Sequence, residues 1–291
     1  MPGVRDNSHY QFLSKKWTDR HRDLQSKIFA NHEEAFKWLA DNSKQLVVGS
    51  LAGIMLLTSP VLDKIPQSVS SAAAQVKTID RSVFLVYDLK NALPDQVRAL
   101  NPDEEKNATE ILARDFGFNV TAELEGKRLN TTYGIIGQEQ HLARFPGDNM
   151  FTHFVASDQA DKYWAYGMAP GLGAFGYFTD SSGTLTQKAI DREKYYIVVQ
   201  TFLAPGYDSN PKAYNDFFKY RRMLVVNPQN GKAIVADIAD AGPSPWTGKQ
   251  LGGSPEVMTY LERVDGAQRG GVLYFFIDDP NDTIPLGPVN L

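Results

Sequence analysis

Two carboxylates and a nearby tryptophan are the residues best placed to do chemistry. Asp237 and Asp240 stand in Ala233-Ile234-Val235-Ala236-Asp237-Ile238-Ala239-Asp240, followed by Ala241-Gly242-Pro243 and Trp246. An aspartate walled by Gly242, Pro243 and Trp246 is partly desolvated, which lifts a carboxyl pKa toward that of a proton donor. The same spelling describes a turn residue whose side chain bonds its own backbone, and the residues do not separate the two readings. Trp246, Tyr177, Tyr166 and Trp164 offer aromatic faces that suit the apolar faces of sugar rings; each equally suits a core or its ends. Thr247 and Ser254 are candidate hydrogen-bond donors beside them.

Other chemistries find less support. The chain has no cysteine, which excludes disulfides, thiolate metal sites and a thiol nucleophile. Glu139 and His141 are two apart and share a face only in a strand. No third ligand follows at a zinc-motif spacing, so this tract reads as a loop at a domain junction with no metal. Asp278, Asp279 and Asp282 do not fit a calcium loop and read as a solvated strand end. The glycines of Pro170-Gly171-Leu172-Gly173-Ala174-Phe175-Gly176 lack the strand, turn and helix of a dinucleotide fingerprint, and no cofactor is expected. There is no Gly-x-Ser-x-Gly elbow, and His141 and His153 lie apart from any candidate serine. A net charge of -4 and a pI near 5.8 give no electrostatic reason for a nucleic-acid surface.

The elements that position the aspartates follow from pattern. Leu224-Val225-Val226 and Ala233 to Ile238 are β-branched runs around Asn227-Pro228-Gln229-Asn230-Gly231, the signal of a hairpin. Further strands are expected at Ser82 to Tyr87, Tyr195 to Val199 and Gly270 to Asp279. Asn101-Pro102-Asp103-Glu104-Glu105 opens a helix to about Phe116, with proline at its start and acids in its first turn. A hairpin is expected from Val120 to Glu125 and Thr131 to Ile136, giving a small α+β module over 80–150. Tyr207 to Phe218 reads as a polar, aromatic insertion that lines a cleft or is mere decoration.

In order, Val225-Val226-Asn227, Asn230-Gly231-Lys232, a strand, Asp240-Ala241-Gly242-Pro243, Thr247-Gly248 and Ser254-Pro255-Glu256-Val257-Met258 resemble the double-psi β-barrel of the rare-lipoprotein-A type of septal lytic transglycosylase. The chain is similar, more distantly, to the barrels of expansins and family 45 endoglucanases. Gly173-Ala174-Phe175-Gly176-Tyr177, Ala189 and the strand after it resemble how such barrels begin, which places the barrel at about 164–279. The resemblance implies a catalytic Asp240 and a peptidoglycan or related glycan as partner, and it departs at one point. Gln250-Leu251-Gly252-Gly253-Ser254 stands where the families have His-Phe-Asp-Leu-Ser or Ile-Asp-Leu-Ser, so glycine replaces their second acid. The transglycosylase histidine is missing too, since no histidine follows His153. Hydrolysis through two carboxylates then requires Asp237 or Asp208 as the second. Three functions remain: lytic cleavage of glycan strands, a non-catalytic, expansin-like wall-binding module, or an assembly protein that contacts partners through the 80–150 module, for which no motif speaks.

The N-terminal part bears on compartment. A helix is expected from about 22 to 44. Gln45 to Leu62 carries no charge over 18 residues. At about 1.5 Å per residue it is long enough to span a hydrocarbon core. The basic residues before it favour an N-terminus inside a bacterial cell and a C-terminal part outside. An uncleaved signal-anchor is expected, with a cleavable signal ending near Ser71-Ala72-Ala73-Ala74 as the rival. Residues 63–79 read as a linker, and those after Pro280 as a tail. The expected architecture is thus mainly β: a six-stranded double-psi β-barrel preceded by a small α+β module and a membrane-spanning helix.

Overall fold

Helix α1 (Arg81–Ala92) replaces the strand expected at Ser82 to Tyr87. The β-branched and aromatic residues that suggested a strand are the exposed ones, Val83, Phe84 and Tyr87, while Leu85 and Leu89 are fully buried. Four residues apart, these two leucines make the one apolar stripe of a helix. Helix α2 (Pro102–Phe116) forms as expected: the Asn101 side chain accepts from the Glu104 amide, and the Glu104 carboxylate accepts from the Asn101 amide, each at 2.9 Å. This reciprocal pair satisfies two of the free donors of the first turn. The computed structural model describes residues 81–154, 157–180, 183–263 and 269–291, which fall within the unit Thr78–Leu291. The expected segments 22–44, 45–62 and 63–79 lie outside the described residues, and no helix among those described is long and apolar enough to cross a membrane.

Past α2 come the short strands β1 (Val120–Thr121), β2 (Glu123–Leu124) and β3 (Lys127–Arg128), then β4 (Tyr133–Gln138). The expected hairpin of 120–125 with 131–136 does not form. Instead β2 pairs with β3, and β1 and β4 both pair antiparallel with a late strand. Two short helices follow, α3 (Met150–His153) and α4 (Ser157–Tyr163), then α5 (Gln187–Lys194), β5 (Tyr196–Val199), α6 (Pro211–Phe218), β6 (Arg222–Val226) and β7 (Ala233–Ala241). The chain closes with β8 (Leu251–Gly253), α7 (Pro255–Leu261), β9 (Arg269–Ile277) and β10 (Gly287–Val289).

Six strands close a mixed barrel in the order β9-β4-β8-β5-β7-β6, with β6 returning to β9. β4–β8 and β5–β7 are parallel; the other ring pairs are antiparallel. The first ring strand is Tyr133–Gln138, upstream of the range 164–279. The hairpin β6–β7 is found as read, with Val226 opposite Ala233 and the Gly231 amide donating to the Asn227 carbonyl in the turn.

Alternation along the strands sorts residues between two cores. Val225, Ile234, Ala236, Ile238, Val272, Tyr274 and Phe276 fill the barrel interior. Their neighbours Leu224, Val226, Ala233, Val235, Leu273, Phe275 and Ile277 pack outward beneath α1 and α2. Burial on both faces is why these strands read as continuous apolar runs. The Tyr207 to Phe218 insertion is part of the interior: Asn210 caps α6, and Phe217 and Phe218 pack on the Phe276 ring at 5.6 and 6.3 Å between centroids. A third group, Leu142, Phe178, Ala189, Tyr196, Val198 and Ala239, covers the outer face of β5 and β7.

This packing separates neighbouring residues of α1. Leu85→Ala is expected to lower unfolding free energy by ~2–5 kcal/mol, and the exposed Phe84→Ala by under ~0.5 kcal/mol. Urea denaturation of both variants checks the helix against the strand.

Candidate functional site

Asp240 reaches the outer barrel face through an irregularity. Ile238 faces Ile197 across β5–β7, but the next aligned pair is Val198 with Asp240, so β7 holds one extra residue at Ala239. Such a bulge re-aims a side chain. Here it sets Asp240 beside Val198 and beneath the segment that follows α4. One oxygen of Asp240 accepts from the Ala174 amide at 2.6 Å and the Ala241 amide at 2.7 Å. Gly173 makes this approach feasible, since a Cβ there would lie 3.2 Å from the Ala239 carbonyl and 3.4 Å from Asp240 Cγ. Burial raises the Asp240 pKa, and the two amide hydrogen bonds oppose it only in part. No hydrogen bond among the described residues reaches its second oxygen, Oδ2.

The space beside Gly252 is filled by a side chain from just past β4. Gly252 aligns with Val198, which aligns with Asp240, so Asp240 and Gly252 lie in one row of residues that share a face. Two strand spacings put them on the order of 10 Å apart. A Cβ on Gly252 would fall 2.4 Å from Glu139 Oε1 and 2.5 Å from Glu139 Cγ. The Glu139 carboxylate thus occupies the space that a side chain at 252 would take, and Lys249 Nζ meets it at 2.6 Å. Gln200, at the end of β5, donates to the carbonyls of Pro243 at 2.9 Å and Lys249 at 3.2 Å, holding the turn that carries Trp246.

The remaining residues singled out from sequence scatter. Asp237 is buried, with Arg192 at 2.9 Å and Arg222 at 3.9 Å, and ties α5 and β6 to β7. Asp208 is exposed in the turn Tyr207–Ser209. Trp246 is 86% exposed in the turn Pro245–Thr247. Trp164 is partly exposed and meets the exposed Phe151 edge to face at 5.2 Å. Tyr166 packs its ring 6.2 Å from that of Tyr163, and the Tyr177 carbonyl accepts from the Tyr220 hydroxyl. None of these four aromatics belongs to the barrel interior, which is filled by Phe217, Phe218, Tyr274 and Phe276. Thr247 and Ser254 donate their hydroxyls to backbone carbonyls, Thr247 to Ser244 in its own turn at 2.7 Å and Ser254 to Lys194 at the end of α5 at 2.7 Å.

The tract read as a plain loop holds the most concentrated buried polar group. His141, Arg144 and His153 are buried with Glu193 of α5. Glu193 accepts at Oε1 from the Leu142 amide at 3.1 Å and lies 3.2 Å from His141 Nδ1; its Oε2 lies 3.0 Å from His153 Nε2. His153 Nδ1 meets Asp148 at 3.0 Å, and Asp148 in turn pairs with Arg144 at 3.0 Å. Burial alone would lower the His153 pKa, but the bonds to Asp148 and Glu193 raise it to about 9. Burial would raise that of Glu193, yet the two histidines hold it at about 2. Glu256 at the start of α7 is pushed up to about 7 by burial and by the charge of Glu193. Spacing did not reveal this group because its members come from three segments joined only by the fold.

Glu139, Lys249 and Gly252 are coupled by contact, which a double-mutant cycle measures. Gly252→Ala is expected to cost ~1 kcal/mol by displacing Glu139 from Lys249. In a Glu139→Ala background the same change should cost under ~0.3 kcal/mol, since its partner is gone. No protein-family model matches this chain, and no curated protein is significantly similar to it.

Proposed function

We propose that this chain is a bacterial envelope protein whose barrel, of the double-psi type, binds peptidoglycan glycan strands and cleaves them with Asp240 as general acid/base. The carrying observation is the state of Asp240. One oxygen is fixed by two backbone amides, the other has no hydrogen bond among the described residues, and burial raises the carboxyl's pKa in the direction a proton donor requires. The closed six-stranded ring with two parallel pairs supports the double-psi assignment. Anchoring through residues 45–62, with the barrel outside the cytoplasm, belongs to the same proposal and rests on their uncharged composition.

The second carboxylate decides the kind of cleavage. Glu139 lies across the row from Asp240, but Lys249 neutralises it, which disfavours its use as a base toward water. One acid/base suffices when a hydroxyl of the sugar itself attacks, as in lytic transglycosylation. Asp240 gives its proton to the leaving oxygen as the glycosidic bond breaks, and its carboxylate then takes the proton of the sugar hydroxyl as that oxygen bonds to the anomeric carbon.

A second reading, a non-catalytic glycan-binding module, is favoured by Trp246, whose ring is almost wholly exposed beside Asp240's strand end. Rings so presented suit stacking on pyranose faces.

Asp240→Asn is expected to lower release of soluble fragments from purified peptidoglycan by ~10²–10⁴-fold with thermal unfolding unchanged; equal release would remove Asp240 from catalysis. As a proton donor Asp240 works only while protonated. Activity should therefore fall as pH rises through a pKa above the ordinary carboxylate value, as a pH-rate profile would show. Trp246→Ala should weaken retention on insoluble peptidoglycan about tenfold, equivalent to ~1.4 kcal/mol. Binding by the wild-type chain without any fragment release would select the second reading.

A further inference from the structure

The buried histidines carry more than a hydrogen-bond network needs. One ring nitrogen from each of His141 and His153 and one carboxylate oxygen of Glu193 lie within 4.8 Å of one another. Glu193 faces both rings, its Oε1 3.2 Å from His141 Nδ1 and its Oε2 3.0 Å from His153 Nε2. Bonds of about 2.0–2.1 Å to zinc set ligand atoms about 3.3 Å apart. Two imidazoles and a carboxylate form a borderline N/O donor set, which suits zinc better than calcium or magnesium.

The surroundings are those of a metal site. His153 engages Asp148 through Nδ1, so its Nε2 is the nitrogen turned to Glu193. A carboxylate behind a histidine fixes the ring and raises its basicity as a ligand. Asp148 is itself held by the Arg144 amide at 2.9 Å and the Thr152 hydroxyl at 3.2 Å. Phe154 lays its ring against both histidines, with centroids 5.3 Å from each, and shuts the group in.

Two further atoms separate a metal site from a closed hydrogen-bond network. His141 Nε2 and Glu256 Oε2 are buried without a partner. Glu256 is also near enough to His141 and Glu193 to feel both charges. Buried polar atoms without a partner are few, and two of them fall at this one group. A divalent cation would join Arg144 in offsetting the negative charge that Glu193 and Asp148 bring into this space.

We propose that His141, His153 and Glu193 bind a zinc-class divalent cation, with Asp148 as the positioning residue behind His153. The ligands are closed to bulk solvent, so the role is structural. The ion pins the 139–154 segment to α5, and with it the covering of the outer barrel face. This inference does not depend on the glycan reading.

The test uses the full chain, stripped with a chelator and dialysed against Zn²⁺. About one zinc per chain is expected by elemental analysis, and Co²⁺ in its place should show the visible absorption of a tetrahedral site. Of the five histidines, two ring signals should shift in NMR on zinc addition. His153→Gln and Glu193→Gln should lose the bound zinc, Asp148→Asn should weaken binding by ~10–100-fold, and Asp208→Asn should leave it intact. Under about a tenth of an equivalent in the wild-type chain, no shifted histidine signal, or zinc retained by both His153→Gln and Glu193→Gln would each overturn the proposal. The wild-type titration and NMR decide the matter even if a ligand variant fails to fold.

Discussion

Burial of both faces of the barrel strands is the constraint on which the molecule rests. β6, β7 and β9 send alternate side chains into the interior and out beneath α1 and α2, so neither face of these strands is available for polar chemistry over most of its length. Polar function is thereby confined to strand ends, turns and the segment from 139 to 179 laid over β5 and β7. Asp240, Glu139 and Trp246 all lie in such places.

A single extra residue gives that arrangement its chemistry. Strict alternation would send Asp240 to the face of Ile238, into the interior. The slip at Ala239 moves it to the outer row with Val198 and Gly252. Glycine then matters twice. Gly173 lets a loop settle against the aspartate, and Gly252 makes room for Glu139, which follows the parallel strand β4. The glycine that seems in sequence to delete an acid is, in space, the opening that admits another one.

The polar interior follows a different logic. Asp237 between Arg192 and Arg222, and Glu193 between two histidines, are buried acids each held by two basic side chains, though burial still pushes the Asp237 pKa up to about 6. Removing one member of such a group leaves its partner uncompensated. These residues therefore fix α5 against the barrel more rigidly than apolar contacts alone would, and they place the covering segment over the outer face.

Sequence by itself determined what depends on neighbours along the chain. Asn101 and Glu104 cap a helix because three residues separate them, and Asn227 to Gly231 turn a hairpin because each residue suits its backbone. The continuous apolar runs at 223–226, 233–238 and 272–277 announced buried strands for the same reason. Ser82 to Tyr87 deceived because β-branched composition was weighed without knowing that Leu85 and Leu89 had α2 to pack against. Tertiary structure alone decided which strands neighbour one another, since pairing β4 with β8 joins residues more than a hundred positions apart. It alone brought Glu139 to Gly252 and His141 to His153 and Glu193. Local propensity acts over a few residues, whereas a site is made by side chains whose proximity exists only once the ring of strands has closed.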